Sequence, residues 1–255
     1  MNALPKTPSM RVDGKRALVA GASRGIGMGC AVALAEAGAH VVCAARSSDD
    51  LAALVEALGA KGLSAEAMTL DVSDLDALRH AFGEAGPLDI FVNSAGMARH
   101  GPALEATRDD FDAVVGVNLR GAYFASVEAA RAMQVAGNGG AIINISSQMG
   151  HVGGIDRSVY AATKHGVEGM TKAMAIEWGP HGIRINTIGP TFIKTPLTAS
   201  TFANPERVRW IEEKIKLNRI GEIEDIMGAV VFLASDASAL ITGTALLIDG
   251  GWTAG

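Results

Sequence analysis

The chain has 255 residues, of which 49% are hydrophobic and 19% are charged. This length and composition allow one large folded domain and exclude an intrinsically disordered protein. The formal net charge of −5 at pH 7 gives no electrostatic basis for binding nucleic acid or an anionic membrane.

Taken in chain order, short apolar runs alternate with helical patterns after residue 10. Residues 1–10 contain two prolines and few apolar residues, which predicts a loose N-terminal tail. Strands are predicted at 16–20, 40–44, 64–70, 88–92, 141–145, 183–188 and 245–248. Helices are predicted at 26–37, 51–58, 73–82 with a cap at Ser73, 107–133 with a cap at Thr107, 158–178, 205–216 with a cap at Asn204, and 222–234.

Strands that alternate with helices and are apolar on both faces predict a parallel sheet covered on both sides. No repeat or linker divides the chain. The predicted fold class is therefore α/β, a single-domain, Rossmann-like, doubly wound parallel sheet of about seven strands with helices on both faces.

The two cysteines, Cys30 and Cys43, fall within apolar patterns and are predicted to be small core residues. A disulfide framework or a metal site would need more ligands at tighter spacing, so no metal is expected. No uncharged apolar run reaches about 18 residues, and no signal-peptide core is evident, so we expect a cytoplasmic protein without a membrane span.

A glycine-rich turn follows the first predicted strand and opens the first predicted helix. Backbone N–H groups in such a turn can approach a pyrophosphate, and the helix dipole favours its negative charge. The spacing is G-x-x-x-G-x-G, and the alternative is an ordinary tight turn. The pattern favours a dinucleotide-binding catalytic domain over 11–255, with candidate contacts at Gly21, Ser23, Arg24, Gly25, Ile26 and Gly27.

Three residues suited to proton transfer at a carbonyl lie within residues 147–164. Ser147 follows the strand at 141–145, and Tyr160 and Lys164 lie four residues apart on one face of a predicted helix. A nearby ammonium lowers the pKa of a phenol from its usual value of about 10. Taken alone, however, Tyr-x-x-x-Lys is also an ordinary helix pair.

The motifs in their order resemble those of the classical short-chain dehydrogenase/reductase family from about residue 12 to residue 253. They are Gly21-x3-Gly25-x-Gly27, Asp71-Val72, Asn93-Ser94-Ala95-Gly96, Asn118, Ser147, Tyr160, Lys164 and Asn186-x3-Pro190. The resemblance implies an oxidoreductase that interconverts a ketone and a secondary alcohol with a catalytic tetrad of Asn118, Ser147, Tyr160 and Lys164.

The same resemblance implies a role for each member of the tetrad. Tyr160 would be the acid and base, and Ser147 would orient the substrate carbonyl. Lys164 would bind the nicotinamide ribose and lower the pKa of Tyr160, while Asn118 would hold a water in a proton relay. Further cofactor contacts implied by the family are Asp71, Val72, Asn93, Ala95, Gly96, Tyr160, Lys164, Pro190, Ile193 and Thr195.

The charges after the second strand favour NADP(H) over NAD(H), although NAD(H) stays possible. An acidic residue there would bond the ribose 2′-hydroxyl of NAD, but this chain has the neutral Ala45. Arg46 and Arg24 flank the same place and suit a 2′-phosphate. The alternative is that both arginines are solvated surface charges.

The substrate is a small molecule whose identity the sequence leaves open. Gln148, His151, Phe192 and Trp210 are candidate substrate contacts, the last two within a lid at about 191–218 that the resemblance implies. Arg99, His100 and Arg157 are interpreted as loop or rim residues. The alternatives are an NAD(H)-linked sugar or polyol dehydrogenase, a 3-oxoacyl-thioester reductase, a non-catalytic nucleotide-binding protein and a structural subunit.

The resemblance also implies a homotetramer. One interface would use the helices at 107–133 and 158–178, and another the last strand with the tail 249–252. Small residues for close helix packing are Ala125, Ala129, Ala130, Ala132, Ala173 and Ala175.

Overall fold

The computed structural model describes residues 4–255, so the first three residues of the predicted tail lie outside the described residues. Residues 4–10 are exposed and have neither helix nor strand. Among residues 4–255, no helix is both long and apolar enough to cross a membrane.

The described residues form one parallel sheet of seven strands with helices on both faces, which confirms the predicted fold class. The strands are β1 (Arg16–Ala20), β2 (His40–Ala45), β3 (Ala65–Thr69), β4 (Ile90–Asn93), β5 (Gly140–Ile145), β6 (Ile183–Pro190) and β7 (Ala245–Ile248). The helices are α1 (Gly25–Glu36), α2 (Ser48–Ala60), α3 (Leu75–Glu84), α4 (Arg108–Val115), α5 (Ala122–Ala136), α6 (Ser158–Trp178), α7 (Ala199–Phe202), α8 (Pro205–Lys214) and α9 (Glu224–Ala234).

The strand order β3-β2-β1-β4-β5-β6-β7 reverses direction between β1 and β4. Ala20 pairs with Asn93 at the carboxyl ends of these two strands. A crevice opens where the loops after neighbouring strands diverge to opposite faces of the sheet, and ligands of doubly wound folds bind there. The topology thus places the glycine-rich turn and the loop after β4 beside one another.

Successive residues of the central strands pack into two separate cores, one on each face of the sheet. Leu18 and Ile142 belong to the core beneath α3, α5 and α6, whereas Val19 and Ile143 belong to the core beneath α1 and α9. This alternation is the period of two that an extended strand imposes. Both cysteines are buried and free, as predicted.

Three local predictions are wrong. The helix α3 is capped by Asp74, whose carboxylate accepts from the N–H groups of Asp76 and Ala77, while the Ser73 hydroxyl donates to Asp71. The predicted helix at 107–133 is interrupted by a π-helical turn over Gly116–Gly121. Four of the alanines expected at a subunit interface are instead buried in the chain's own core, namely Ala125, Ala129, Ala130 and Ala175.

Candidate active site

A cleft of about 580 Å³ runs along the carboxyl ends of the strands at the crevice between β1 and β4. Every residue that the sequence predicted to bind the cofactor lines this cleft, except Asn93. Asn93 is buried, and its side chain bonds Asn144 and the N–H of Ala95. Asn93 therefore stabilises the turn after β4 from the interior of the protein and does not line the cleft.

The glycines of the first turn are required by their surroundings. Gly21 has φ +79°, and a Cβ there would lie 2.8 Å from the backbone nitrogen of Ala95. A Cβ on Gly27 would lie 2.1 Å from the carbonyl oxygen of Gly21. No side chain larger than hydrogen fits at these positions, so the turn brings its backbone directly to the floor of the cleft.

The start of α1 fits a pyrophosphate. Helices α2, α3, α4 and α8 each begin with a side chain that accepts from their first N–H groups, and each has an acidic residue in its first turn. Helix α1 has neither, and Gly25, Ile26 and Gly27 line the cleft. Its first N–H groups and its positive dipole end are therefore free to hold an anion.

The end of the cleft beside the carboxyl end of β2 is lined by groups of both charges. Ala45 is almost fully buried, and the side chains of Arg24 and Arg46 are exposed beside it. Asp50 of α2 lines the same end and opposes their positive charge. Burial raises the pKa of Asp71, but hydrogen bonds from Ser73 and the charge of Arg46 bring that pKa below its usual value.

Ser147, Tyr160 and Lys164 meet at the other end of the cleft. The Ser147 hydroxyl accepts from the N–H of Met149 at 3.1 Å, and Ser147 and Tyr160 line the same part of the cleft wall. The Lys164 ammonium donates to the carbonyl of Ile145 at 2.9 Å and lies 5.6 Å from the centroid of the Tyr160 ring. The helix face predicted for Tyr160 and Lys164 thus does face the serine at the end of β5.

Arg157 adds a charge to this trio that the sequence did not predict. Burial raises the pKa of Tyr160, opposed by the Ser147 hydroxyl and by the charge of Arg157. Arg157 thus favours the phenolate in addition to the effect expected of Lys164. Burial also lowers the pKa of Lys164 to about 8, although the nearby Glu168 carboxylate opposes the change.

Asn118 lies behind the cleft in the π-helical turn and does not line it. Its amide donates to the carbonyl of Met97 and accepts from the N–H of Met97, both at 2.8 Å. The same amide donates to Thr163 at 3.4 Å. Asn118 therefore joins the loop after β4 to helix α6. Because Met97 lines the cleft, its two bonds to Asn118 also fix the position of the cleft wall.

A second, small cavity of about 80 Å³ shares Ser147, Tyr160 and Thr191 with the cleft. Of the four predicted substrate contacts, Gln148 and Phe192 line it, and His151 and Trp210 do not. The imidazole of His151 lies 3.5 Å from the buried carboxylate of Glu168 instead.

Trp210 does not line the second cavity because its ring packs on another aromatic ring. Its ring meets that of Trp252 edge to face, with centroids 5.4 Å apart. Trp252 packs in turn on Phe192, with centroids 5.6 Å apart. Trp210 therefore supports a cavity residue rather than forming the wall.

His100 and Arg157 were interpreted as rim residues, yet both line the second cavity. Arg157 donates to the imidazole of His100, and its guanidinium lies 5.1 Å from the centroid of Phe192. The two residues are 57 positions apart, so no local pattern joins them. The one available signal was that Arg157 precedes Tyr160 by three residues, close to one helical turn.

The chain is similar to known oxidoreductases over nearly its whole length. The family model described as enoyl-(acyl carrier protein) reductase matches residues 21–253. Bovine L-xylulose reductase is 38% identical over 96% of this chain and 99% of its own length. Gluconate 5-dehydrogenase of Gluconobacter oxydans is 37% identical over 95% of this chain and 96% of its own.

Solved structures superpose over nearly the whole chain. A short-chain type dehydrogenase/reductase from Mycobacterium marinum has a TM-score of 0.91 and 38% identity, covering 96% of this chain and 98% of its own. A gluconate 5-dehydrogenase from Burkholderia cenocepacia, in complex with NADP and tartrate, has a TM-score of 0.93 and 35% identity. It also covers 96% of this chain and 98% of its own.

Proposed function

Because the chain belongs to the classical short-chain dehydrogenase/reductase family, we propose that it is an NADP(H)-dependent oxidoreductase that interconverts a ketone and a secondary alcohol, with Tyr160 as acid and base. Its relatives are named reductases and dehydrogenases of carbonyl and CH–OH groups. The observation that carries the proposal is the meeting of two hydroxyls and a buried ammonium at one end of a cleft suited to a dinucleotide.

A nicotinamide cofactor, when bound, supplies or accepts the hydride. Ser147 donates a hydrogen bond to the carbonyl oxygen, where negative charge develops during reduction. Tyr160 is protonated at neutral pH because burial raises the pKa of its phenol, so it can give its proton to that oxygen. In oxidation Tyr160 must lose this proton first, and the charges of Arg157 and Lys164 favour the phenolate.

Lys164 serves as a buried cation on the wall of the cleft, beside Tyr160. With a pKa of about 8, its side chain is charged at neutral pH. Lys164 also binds the nicotinamide ribose in this proposal, since its ammonium lies on the cleft wall. Asn118 acts as a positioning residue through its two bonds to Met97.

NADP(H) is the preferred cofactor in this proposal. Ala45 places no carboxylate at the end of β2, and Arg24 and Arg46 can pair with a 2′-phosphate. The Burkholderia relative binds NADP. The carboxylate of Asp50 would repel the 2′-phosphate. The experiment must therefore measure how much Arg24 and Arg46 contribute to the preference for NADPH.

A sugar or polyol ketone is the substrate class that the relatives and the second cavity favour. L-xylulose and gluconate are the substrates in the names of two relatives. The second cavity is small and carries polar groups from Gln148 and Thr191. Such a cavity suits hydroxyl groups better than the long apolar chain of a 3-oxoacyl thioester.

A homotetramer is the assembly we propose. Helix α5 exposes Tyr123 and Phe124, and α6 exposes 80% of Ile176. Large apolar side chains exposed on adjacent helices favour burial against another copy. Light scattering of the purified protein would measure the mass directly, and a monomer at micromolar concentration would contradict the proposal.

The function is tested with a substrate panel followed by nicotinamide absorbance. Ketoses and ketoacids are offered with NADPH and with NADH, and the corresponding polyols with NADP⁺ and NAD⁺. We expect turnover of at least one polyhydroxy ketone, with higher kcat/KM for NADPH. Cofactor binding without any turnover would favour a non-catalytic nucleotide-binding protein, and absence of both would contradict the assignment.

A further inference from the structure

We infer that the substrate of this site is a polyhydroxy acid or its keto form, whose carboxylate pairs with Arg157 beside the reacting carbonyl. This inference rests on the function proposed above and names the substrate class more narrowly. It follows from three features of the second cavity: a cation without an acidic partner, a neutral imidazole that holds it, and two unpartnered polar atoms.

Arg157 is a charged group at the cavity for which the protein provides no counter-ion. Within residues 4–255, no carboxylate oxygen lies within 4.0 Å of its guanidinium, and Asp156 beside it in sequence makes no ion pair with it. By contrast, the nearby Arg99 is paired with Asp110 at 2.6 Å. A partly buried cation without a partner is costly, and an anionic ligand would offset that cost.

His100 holds Arg157 without competing for an anion. Partial burial lowers the pKa of His100 to about 4, with further lowering by the charges of Arg157 and Arg207. The imidazole is therefore neutral at physiological pH and accepts from Arg157 at Nε2. One edge of the guanidinium is used in this way, and its remaining N–H groups stay available for a carboxylate.

The orientation of Arg157 is set by packing. Its guanidinium stacks over Phe192, which Trp252 supports from behind. A planar guanidinium held on an aromatic face presents its N–H groups in a fixed fork, which matches the two oxygens of a carboxylate. A flexible surface arginine would lack this preorganised orientation.

The remaining polar atoms suit hydroxyl groups on the same molecule. The Oε1 of Gln148 and the Oγ1 of Thr191 are buried without a hydrogen-bond partner. Both residues line the second cavity, next to Ser147 and Tyr160. Unpartnered buried polar atoms are rare because they cost free energy, and the hydroxyls of a polyol can partner both.

The position of Arg157 also fixes which end of the substrate carries the charge. Arg157 comes one turn before Tyr160, and both line the second cavity. His100, which accepts from Arg157, has its ring centroid 5.8 Å from that of Tyr160. A carboxylate on Arg157 therefore lies within a few bonds of the carbon that exchanges the hydride. A neutral ketose would leave the guanidinium without a partner.

The test compares substrates matched except for charge. The probes are 2-keto-D-gluconate with its neutral counterpart D-fructose, 5-keto-D-gluconate with its neutral counterpart L-sorbose, and fructose 6-phosphate, each with saturating NADPH. We expect wild type to have a kcat/KM at least about tenfold higher for one ketoacid than for its neutral counterpart. The variant Arg157→Gln should raise the KM for that acid about 10- to 150-fold, with little change in the KM for the neutral counterpart.

Two further variants, and the ratio of kcat/KM for acid and neutral substrates, distinguish recognition of the carboxylate from a general loss of activity. Arg157→Lys should restore part of the acid preference, and Arg99→Gln, which removes an already paired rim cation, should leave it unchanged. Loss of Arg157 also changes the pKa of Tyr160, but this effect cancels in the ratio of acid to neutral kcat/KM. Equal losses for acid and neutral substrates would overturn the inference.

A binding measurement keeps the inference distinct from the proposed function. Calorimetry with NADP⁺-loaded protein should show D-gluconate binding to wild type and not to Arg157→Gln, whether or not turnover occurs. Binding with no turnover of any ketone would contradict the function and support the anion site. Turnover with a preference for a neutral counterpart or for fructose 6-phosphate would support the function and overturn the carboxylate assignment.

Discussion

The ammonium of Lys164 donates to the carbonyl oxygen of Ile145 at 2.9 Å and so joins the second turn of α6 to the end of β5. Only 5% of Lys164 is exposed. Burial lowers the pKa of the ammonium to about 8, well below that of a free lysine. Burial of the charged ammonium therefore destabilises the folded state, relative to a neutral side chain at the same position.

Lys164→Met should increase stability most at neutral pH. The folded pKa of about 8 is below the unfolded value of 10.5, so the folded state binds fewer protons and wild-type stability rises as the pH goes from 8 to 10.5. The variant lacks this rise. Its advantage in unfolding free energy should thus be larger at pH 7 than at pH 10, by up to about 3 kcal/mol.

Urea unfolding at the two pH values measures this difference. Lys172→Met serves as the control, because Lys172 is exposed on the same helix. If the unfolding free energies of Lys164→Met and Lys172→Met showed the same pH dependence, burial of the Lys164 ammonium would not destabilise the folded state at neutral pH.

Asn118→Ala should reduce activity by moving the cleft wall. The substitution leaves the partly buried N–H and carbonyl of Met97 without their partners, at a cost of up to about 1–3 kcal/mol for each group. We expect lower stability and a higher KM for the cofactor, because Met97 lines the cleft. A shifted pH profile of kcat with an unchanged KM would instead indicate a direct part in proton transfer.

Arg24 and Arg46, which line the cleft beside the carboxyl end of β2, should decide the cofactor. Arg46→Ala should weaken NADPH relative to NADH by about 10- to 150-fold, the value of a charge-assisted hydrogen bond. Ala45→Asp combined with Arg46→Ala should prefer NADH, since it adds a repulsive carboxylate and an acceptor for the 2′-hydroxyl. Asp50→Asn should act in the opposite direction.

The measurement is kcat/KM for both cofactors at one ketone concentration. Arg131→Ala is the matched control, since Arg131 lies on α5 and pairs with Glu128. An unchanged cofactor ratio in Arg46→Ala, together with a wild-type preference for NADH, would make these arginines surface charges.

Gly27→Ala should abolish cofactor binding or folding. Its Cβ would lie 2.1 Å from the carbonyl oxygen of Gly21, and its nearest neighbours are all backbone atoms of Gly21 and Ala22, which cannot move aside as a side chain could. Gly83→Ala is the control, because a Cβ at Gly83 in α3 meets nothing within 4 Å. The control should be neutral or more stable by up to about 1 kcal/mol. Normal NADPH affinity in Gly27→Ala would contradict the turn geometry.

The strands and the cofactor cleft could be predicted from the sequence because their signals are local. Buried parallel strands read as short apolar runs, and Gly21, Gly25 and Gly27 mark a turn whose shape depends on nearby atoms. The π-helical turn at Asn118 could not be predicted, because one extra residue per turn hardly changes an apolar pattern over a long helix. The helix merely looked continuous.

The substrate end was predicted less well because it depends on contacts between distant loops. His151 and Arg157 both lie between Ser147 and Tyr160, and only the path of the loop decides which one meets the cavity. Trp210 belongs to the predicted lid, but Trp252 near the end of the chain holds it away from the cavity. Side-chain packing of this kind leaves no mark on either local sequence.

Tyr160→Phe tests the central claim most directly, because it keeps the ring and removes the proton. The expected result is a loss in kcat of at least about 10²-fold, the usual scale for a general acid or base. Affinity for NADPH should be unchanged, and Tyr123→Phe, at an exposed tyrosine of α5, should retain full activity. A Tyr160→Phe enzyme that turns over near the wild-type rate would contradict the assignment of Tyr160 as the proton donor.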